Sequence, residues 1–483
     1  MRCRGLSSFL VLLALPVLLL AEPTGLPKPQ KTSPGPELPK DVHALSPALA
    51  QRMEELVKAA EEYRGLRLKR PVPYGALDQQ GLQAKVAETL NEDLPPAQMR
   101  AFEVSLKAFG LIPQGADAGK IYRDLLVQQV AAFYDPERKY LAMVERTDGA
   151  DELPKGTSPA LARRAREGIL VHELTHAIDD QSFDIAKMAK TDPLSDDSSA
   201  FLGLVEGDAT VVMFDYVLGR KVDQVPGFAR ALRDSMKDPK QMAALSPDLP
   251  GGGMAEAPAW FRDSMVFSYL QGFAFCLDVE RRGGQKLLDY AFAKDPPRST
   301  EQLLHPEKWY GRRDDPIGLP WPDLSAILPG WSKAAEGQMG EEGIAILLRE
   351  SLKEPAEATA AATGWGGDRF AVYEKDGQRF LAWLTEWDSA VEAAEFQAAL
   401  GKLSPPWEFV RPSPTRIVVT RGALPASLKP GVEAALAAVH SERPANRDID
   451  MTALGLAPDP TAPEAPPKTL PTTPAPPKPG RSR

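Results

Sequence analysis

Cysteine is nearly absent from this chain of 483 residues, which contains only Cys3 and Cys276. Cys3 precedes the apolar run near the N-terminus, so removal of a leader there would leave Cys276 alone. One cysteine cannot form an internal disulfide, so the fold must be held by its core and by any metal that it binds. Cys276 lies in the apolar segment 273–277, which predicts a buried thiol.

An excess of positive charge is also missing. The chain has 57 Lys and Arg against 66 Asp and Glu, a net charge of −9 and an isoelectric point near 5.4. Nucleic-acid-binding proteins usually carry a basic face for phosphates, so this balance argues against that class. The 43% hydrophobic content is ordinary for a protein with a real core.

The apolar run Leu10–Leu20 is too short to cross a bilayer comfortably. Arg2 and Arg4 precede it and small Ala21 follows it, a pattern typical of a signal peptide over residues 1–21. We therefore expect an exported protein, periplasmic or secreted, with no stable membrane span once the leader is removed. An uncleaved anchor is the alternative.

The rest of the chain predicts an α+β protein with one large, mainly helical domain. Residues 22–45 are dense in proline and read as a tether, and residues 446–483 read as a disordered proline-rich tail. Helical periodicity dominates the domain over 46–353, which a linker at 354–363 would join to a small α+β accessory domain at 364–445.

The accessory domain has a clear hairpin pattern. Two alternating segments, 369–374 and 378–386, flank Asp376-Gly377, which is a strong hairpin turn. Asp388 is placed to cap a helix that ends near Leu400. Further strands are expected at 407–411 and 416–420, and a last helix at 432–440. Two or more of the four tryptophans of this region are expected in the core rather than on a ligand platform: Trp365, Trp383, Trp387 and Trp407.

Histidine is scarce, with five residues, yet two of them stand four apart in a helical pattern over residues 161–184. His172 and His176 would stack on one helix face, so both imidazoles can reach a single ion. Glu173 lies beside them and can take a proton from a water that the ion activates. The motif therefore predicts a zinc site with Glu173 as general base.

A catalytic zinc needs a third protein ligand. Glu206 is the best candidate, because it emerges from an apolar run within a predicted helix at 196–218, and a buried carboxylate is costly unless it is paired or bound to metal. An ion pair between Glu206 and an arginine is the alternative. Asp208 is expected to support a histidine, and Asp180, on the histidine helix itself, is a weaker candidate ligand.

The residues His172, Glu173, His176 and Glu206 resemble the gluzincin branch of zincin metallopeptidases. The resemblance implies that the two ligand helices pack together beneath a small sheet, whose edge strand binds an extended peptide or protein substrate. Segments 129–134 and 139–144 fit a hairpin of that sheet.

Over residues 50–350 the chain also looks like a group of poorly characterised bacterial exported proteins with predicted peptidase domains. The shared motifs are FYDP, HELTHAIDDQSFD, LVEGDA and STEQLLHPEKWY. One departure is Thr210, which stands where well-studied gluzincins carry an acid four residues after the third ligand.

Peptide hydrolysis also needs a donor for the developing oxyanion. His305 and Tyr269 are candidates, although a packing role is the favoured reading for each. Three functions remain open from the residues alone: a zinc peptidase, a catalytically silent binding or scaffold protein with the same fold, and a zinc hydrolase of a non-peptide amide. The oligomeric state is not predicted.

Overall fold

The computed structural model describes residues 38–145, 158–188, 192–228, 254–352, 354–445 and 448–457. Its helices, in chain order, are α1 Pro47–Arg64, α2 Gln79–Asp93, α3 Pro96–Phe109, α4 Ala118–Gln129, α5 Pro159–Phe183, α6 Ile185–Met188, α7 Asp196–Leu218, α8 Ala259–Ala293, α9 Thr300–Leu304, α10 Glu307–Tyr310, α11 Gly340–Arg349, α12 Pro355–Ala362, α13 Ala390–Leu400 and α14 Lys429–Ala437. Its strands are β1 His43–Ala44, β2 Tyr74–Leu77, β3 Ala132–Asp135, β4 Tyr140–Val144, β5 Ser332–Gly337, β6 Trp365–Lys375, β7 Gln378–Trp387, β8 Glu408–Val410 and β9 Arg416–Gly422. The predicted α+β class is confirmed.

The first sheet has the order β1-β2-β4-β3, so β3 is an edge strand. β3 and β4 pair antiparallel, which confirms the predicted upstream hairpin, and β2 pairs parallel with β4. Ala132, Tyr134 and Leu141 of this hairpin share a buried cluster with Leu170 and Leu174 of α5. The sheet therefore packs directly on the helix that carries the histidine motif.

Helices α7 and α8 pack closely because glycines stand where they cross. A Cβ on Gly207 would lie 2.1 Å from the carbonyl carbon of Gly272, and one on Gly272 would lie 2.0 Å from the carbonyl oxygen of Gly203. Only glycine allows two backbones to approach so closely. Helix α7 spans 196–218 as predicted, and Ser195 occupies its N-cap position.

The second sheet has the order β5-β6-β7-β9-β8 and is antiparallel throughout. The hairpin at Asp376-Gly377 is confirmed, and both turn residues have positive φ, 50° and 74°. The cap prediction for α13 is wrong, because Ser389 caps this helix and Asp388 instead accepts a hydrogen bond from Lys308. All four tryptophans of this region are buried, which confirms the prediction that two or more lie in the core.

One face of this sheet packs on a helix from far upstream. The Phe109 ring of α3 lies 5.0 Å from that of Phe370 and 5.2 Å from that of Trp383. Val432 and Leu436 of α14 join the apolar cluster that includes other residues of the sheet. The second sheet therefore shares its core with residues outside the predicted range 364–445.

Three boundary predictions need correction. The expected linker at 354–363 contains α12, whose Ala358 and Ala361 are buried, because this alanine-rich segment has a face to pack. The predicted boundary after residue 353 would separate strands β5 and β6, which pair in one sheet. The expected tail from 446 includes the described residues 448–457, whose Ile449 and Met451 pack into a core cluster with residues of α7 and α8.

The expected N-terminal tether ends in structure, because β1 pairs with β2 and Val42 is buried. The predicted signal peptide and the proline-rich tail from Pro458 lie outside the described residues, so export remains a prediction from sequence. Within the described ranges, no helix is both long enough and apolar enough to cross a membrane.

Candidate metal centre

Three side chains from two helices meet in a buried cluster. His172 Nε2 lies 3.0 Å from His176 Nε2 and 3.1 Å from Glu206 Oε2, and His176 Nε2 lies 3.4 Å from the same carboxylate oxygen. Both histidines are fully buried, and Glu206 is 2% exposed. The structure thus brings together the three residues that the sequence selected as ligands.

These separations suit a zinc ion. Zinc ligands lie about 2.0–2.2 Å from the metal, and the edge of a tetrahedron is about 1.63 times that radius, or about 3.3–3.6 Å. The three observed separations, 3.0, 3.1 and 3.4 Å, come within about 0.3 Å of this range. Two imidazoles and one carboxylate also match the donor types of a catalytic zinc site with a remaining open position.

Local structure explains the convergence. His172 and His176 are one turn apart on α5 and therefore share a face. Glu206 sits on α7 immediately before Gly207, at the close crossing with α8, so the position of its backbone is fixed by direct backbone contact. Thr210, four residues after Glu206, donates its hydroxyl to the Glu206 carbonyl at 2.7 Å within the helix.

The electrostatics leave the cluster short of positive charge. Burial lowers the pKa of His172 to about 4, although Glu206 opposes this shift, so the imidazole is neutral at pH 7. Burial alone would raise the pKa of Glu206, but the adjacent His176 and His172 lower it to about 2. Among the described residues, the ion-pair contacts of Glu206 are to these histidines alone. An ionised Glu206 carboxylate beside the neutral His172 imidazole is the environment that a cation would stabilise.

Polar atoms without partners also surround the cluster. The Nδ1 atoms of His172 and His176 and the Oε1 atom of Glu173 are buried and lack hydrogen-bond partners in the described part of the chain. Such atoms are uncommon in native proteins and often mark a site for an ion, a water or a reacting group. The residues present therefore fit a metal ion.

Glu173 is attached to the edge strand of the first sheet. The backbone N–H of Tyr134 donates to Glu173 Oε2 at 2.8 Å, and Glu173 is fully buried. Burial and the charge of Glu206 raise the pKa of Glu173 well above its ordinary value, against the effect of the Tyr134 N–H. One carboxylate oxygen of Glu173 is thus fixed, and the other, Oε1, has no hydrogen-bond partner in the described part of the chain.

A buried arginine, Arg64, lies behind the ligand helices. Its guanidinium Nε is 2.8 Å from Asp179 and 2.7 Å from Asp208, and its Nη1 is 2.9 Å from Asp289. Asp179 follows His176 by one turn of α5, and Asp208 follows Glu206 by two residues on α7. Arg64, the last residue of α1, therefore ties together the two helices that carry the ligands.

These contacts decide two sequence predictions. The arginine that could have paired with Glu206 pairs instead with Asp208, so the ion-pair alternative for Glu206 is wrong within the described residues. Asp208 was expected to support a histidine, but its close partner is Arg64. Sequence reasoning missed Arg64, although it continues the apolar face of α1 that Met53, Leu56 and Ala60 form.

The remaining candidates lie in distinct places. Asp180 accepts hydrogen bonds at one carboxylate oxygen, Oδ2, from the Tyr134 hydroxyl at 2.8 Å and from Lys139 Nζ at 2.5 Å. Tyr269 lies at the site, where its ring stacks 5.9 Å from that of His172. His305 pairs with Glu341 at 3.0 Å, a contact that favours its packing role.

A second group of acids could suggest another metal site. Glu301, Asp314 and Asp388 lie close together, but Lys308 Nζ is 2.6, 3.0 and 2.7 Å from them respectively. The lysine already supplies the positive charge that these carboxylates need. Glu173 also lies near the two histidines, but Glu206 is the better third ligand because its oxygen contacts both Nε2 atoms.

Comparisons with known proteins address a different part of the chain. Residues 328–423 match a family described as Domain of unknown function (DUF8575). This range contains the whole second sheet together with α11, α12 and α13. No curated protein and no solved structure matches the chain. The matched range excludes α5 and α7, so it contains none of the four residues His172, Glu173, His176 and Glu206.

Proposed function

We propose that this protein is a zinc-dependent peptidase of zincin type, with His172, His176 and Glu206 as metal ligands and Glu173 as general base. The observation that carries the proposal is the convergence of two imidazole nitrogens and one carboxylate oxygen within 3.4 Å of one another in a buried site. Two packed helices beneath a small sheet, with the buried acid Glu173 next to the first histidine, support the zincin assignment.

When bound, zinc would supply Lewis acidity, lowering the pKa of a water and polarising the scissile carbonyl. The chain's own residues do the rest. Glu173 accepts the proton of the attacking water through Oε1 and delivers it to the leaving amine, while the Tyr134 N–H holds its other oxygen. Tyr269, stacked beside His172, is the better candidate to donate to the oxyanion.

The edge position of β3 supports a peptide as substrate. β4 pairs with one side of β3, so the other side can accept an extended chain through main-chain hydrogen bonds. Tyr134 of this strand also holds the base, so a peptide aligned on β3 would have its backbone next to Glu173. A non-peptide amide lacks the extended main chain that could pair with this edge, and substrate profiling separates the two hydrolases.

The test compares purified wild type with Glu173→Gln, both loaded with zinc and offered a mixed peptide library. We expect equal zinc content in the two proteins and a fall in cleavage of about 10²–10⁴-fold in the variant, since general-base catalysis contributes about that much. Removal of zinc with a chelator should abolish wild-type cleavage, and added zinc should restore it.

Glu167→Gln is the matched control. Glu167 lies on the same helix, is buried, and binds Arg52 and the Tyr216 hydroxyl rather than the cluster. This variant should retain activity per folded molecule. Equal cleavage by Glu173→Gln and wild type would disprove the mechanism, and zinc binding without cleavage of any peptide would favour the silent scaffold instead.

A further inference from the structure

A cavity of about 150 Å³ lies between the N-terminal halves of α7 and α8 and the first turns of α11. Aromatic and aliphatic side chains form most of its wall, among them Phe102, Tyr122, Leu202, Phe261 and Ile346. The cavity is not lined by His172, Glu173, His176 or Glu206. The cavity is thus a separate feature that requires its own explanation.

Two helices, α7 and α8, connect the cavity with the candidate metal centre. Leu202 lines the cavity and is one turn before Glu206 on the same face of α7. Met265 lines it from α8 and is one turn before Tyr269, whose ring stacks on His172. Four residues of an α-helix rise by about 6 Å. Leu202 and Met265 are therefore each about one turn from a residue at the candidate metal centre.

The polar groups in the wall are already satisfied by the protein. The Asp196 carboxylate accepts hydrogen bonds from the Thr300 N–H at 3.0 Å and hydroxyl at 2.7 Å. The Ser264 hydroxyl donates to a carbonyl of its own helix, and Glu342 accepts from Arg349 at 2.5 Å. The surface left for a guest is therefore apolar, and an apolar group would gain most from entering it.

Building on the proposed peptidase function, we propose that this cavity binds an apolar side chain of the substrate next to the scissile bond, and that α11 determines which size fits. Glu342, Gly343 and Ile346 of α11 close one wall, and this helix lies inside the region matched to the family of unknown function. The matched region thereby acts as a specificity element of the peptidase.

The first experiment enlarges the cavity from the α11 side with Ile346→Ala. Cleavage of a peptide library by this variant should shift toward larger apolar side chains by about tenfold or more relative to wild type, since pocket contacts of this size discriminate by about 10–200-fold. Ile344→Ala is the matched control, because Ile344 is on the same helix and equally buried but does not line the cavity. Identical preferences in the two variants would overturn the proposal.

The second experiment does not depend on catalysis. Benzene should raise the melting temperature of the wild-type chain, because a ligand that binds only the folded state stabilises it, and an apolar cavity of this size can hold one ring. Ser264→Phe, which fills the cavity, should remove that shift, whereas Ile344→Ala should keep it. Absence of any shift in wild type overturns the cavity as a binding site even if peptides are cleaved. A benzene shift without cleavage of any peptide overturns the proposed peptidase function and, with it, the substrate side chain as guest.

Discussion

Arg64→Met removes the positive charge behind the candidate metal centre and keeps an apolar side chain of similar length. The Arg64 and Asp179 and Asp208 side chains are all 0% exposed, and Asp289 is 30% exposed. Loss of one partner of a buried ion pair costs about 3–5 kcal/mol, because the remaining charges are left without compensation. Since two of the acids are fully buried, we expect a loss within that range in the free energy of unfolding of the metal-free protein.

The same change should weaken zinc binding. Asp179 and Asp208 lie on the two ligand helices, so their repulsion would separate His176 from Glu206, and changes just outside a ligand set typically cost 10–100-fold in metal affinity. Urea denaturation with a chelator present measures stability, and competition against a chelating dye measures affinity. Arg64→Met/Asp208→Asn should recover part of both losses because it removes one uncompensated carboxylate.

A surface arginine provides the control for this prediction. Arg369 pairs with Glu336, and their side chains are 37% and 22% exposed, so Arg369→Met should cost less than about 1 kcal/mol and leave zinc affinity unchanged. If Arg64→Met were as stable as Arg369→Met and bound zinc as tightly as wild type, the role given to the Arg64 network would be refuted.

Two further predictions concern the helix crossing and a pH-dependent contact. Gly207→Ala should destabilise the fold by about 1–3 kcal/mol because its Cβ would meet the Gly272 backbone, whereas Gly119→Ala, a helical position with ordinary contacts, should be neutral or stabilising by up to about 1 kcal/mol in urea denaturation. The hydrogen bond to Glu341 raises the pKa of His305, so its stabilisation is full below the unfolded pKa near 6.5 and declines as pH rises through the higher folded pKa. Stability curves from pH 6 to 9 should show this decline in wild type and not in His305→Gln; parallel curves would contradict it.

The residues of the candidate metal centre could be chosen from sequence because polar, metal-binding side chains stand there among apolar neighbours. Two histidines stand four residues apart on an apolar helix, and Glu206 lies within an apolar run. Burying these polar groups in a core is costly unless an ion or another polar partner binds them. The position of Arg64 could not be chosen in this way, because its three aspartates lie 115 or more residues away along the chain. Contacts of that range depend on how the helices assemble.

The hairpins were predictable because local turn chemistry specifies them, as Asp376-Gly377 illustrates. Strand β5 was not, because its sequence, SKAAEG, has little strand preference and adopts this form through pairing with β6. The sequence of 355–362 predicts a linker rather than a helix for a related reason, because its alanines show no polar-apolar contrast. In the structure this segment is a helix with Ala358 and Ala361 buried. Tertiary contacts decided both segments.

The dependence of the second sheet on distant helices has a practical consequence for anyone studying the matched family. A shortened protein limited to residues 328–423 would carry every strand of that sheet but neither Phe109 on one side nor Val432 and Leu436 on the other. Both bare surfaces would then face water, and the piece would tend to aggregate during expression. Boundaries for recombinant work on this region should therefore follow its packing partners rather than the limits of the family match.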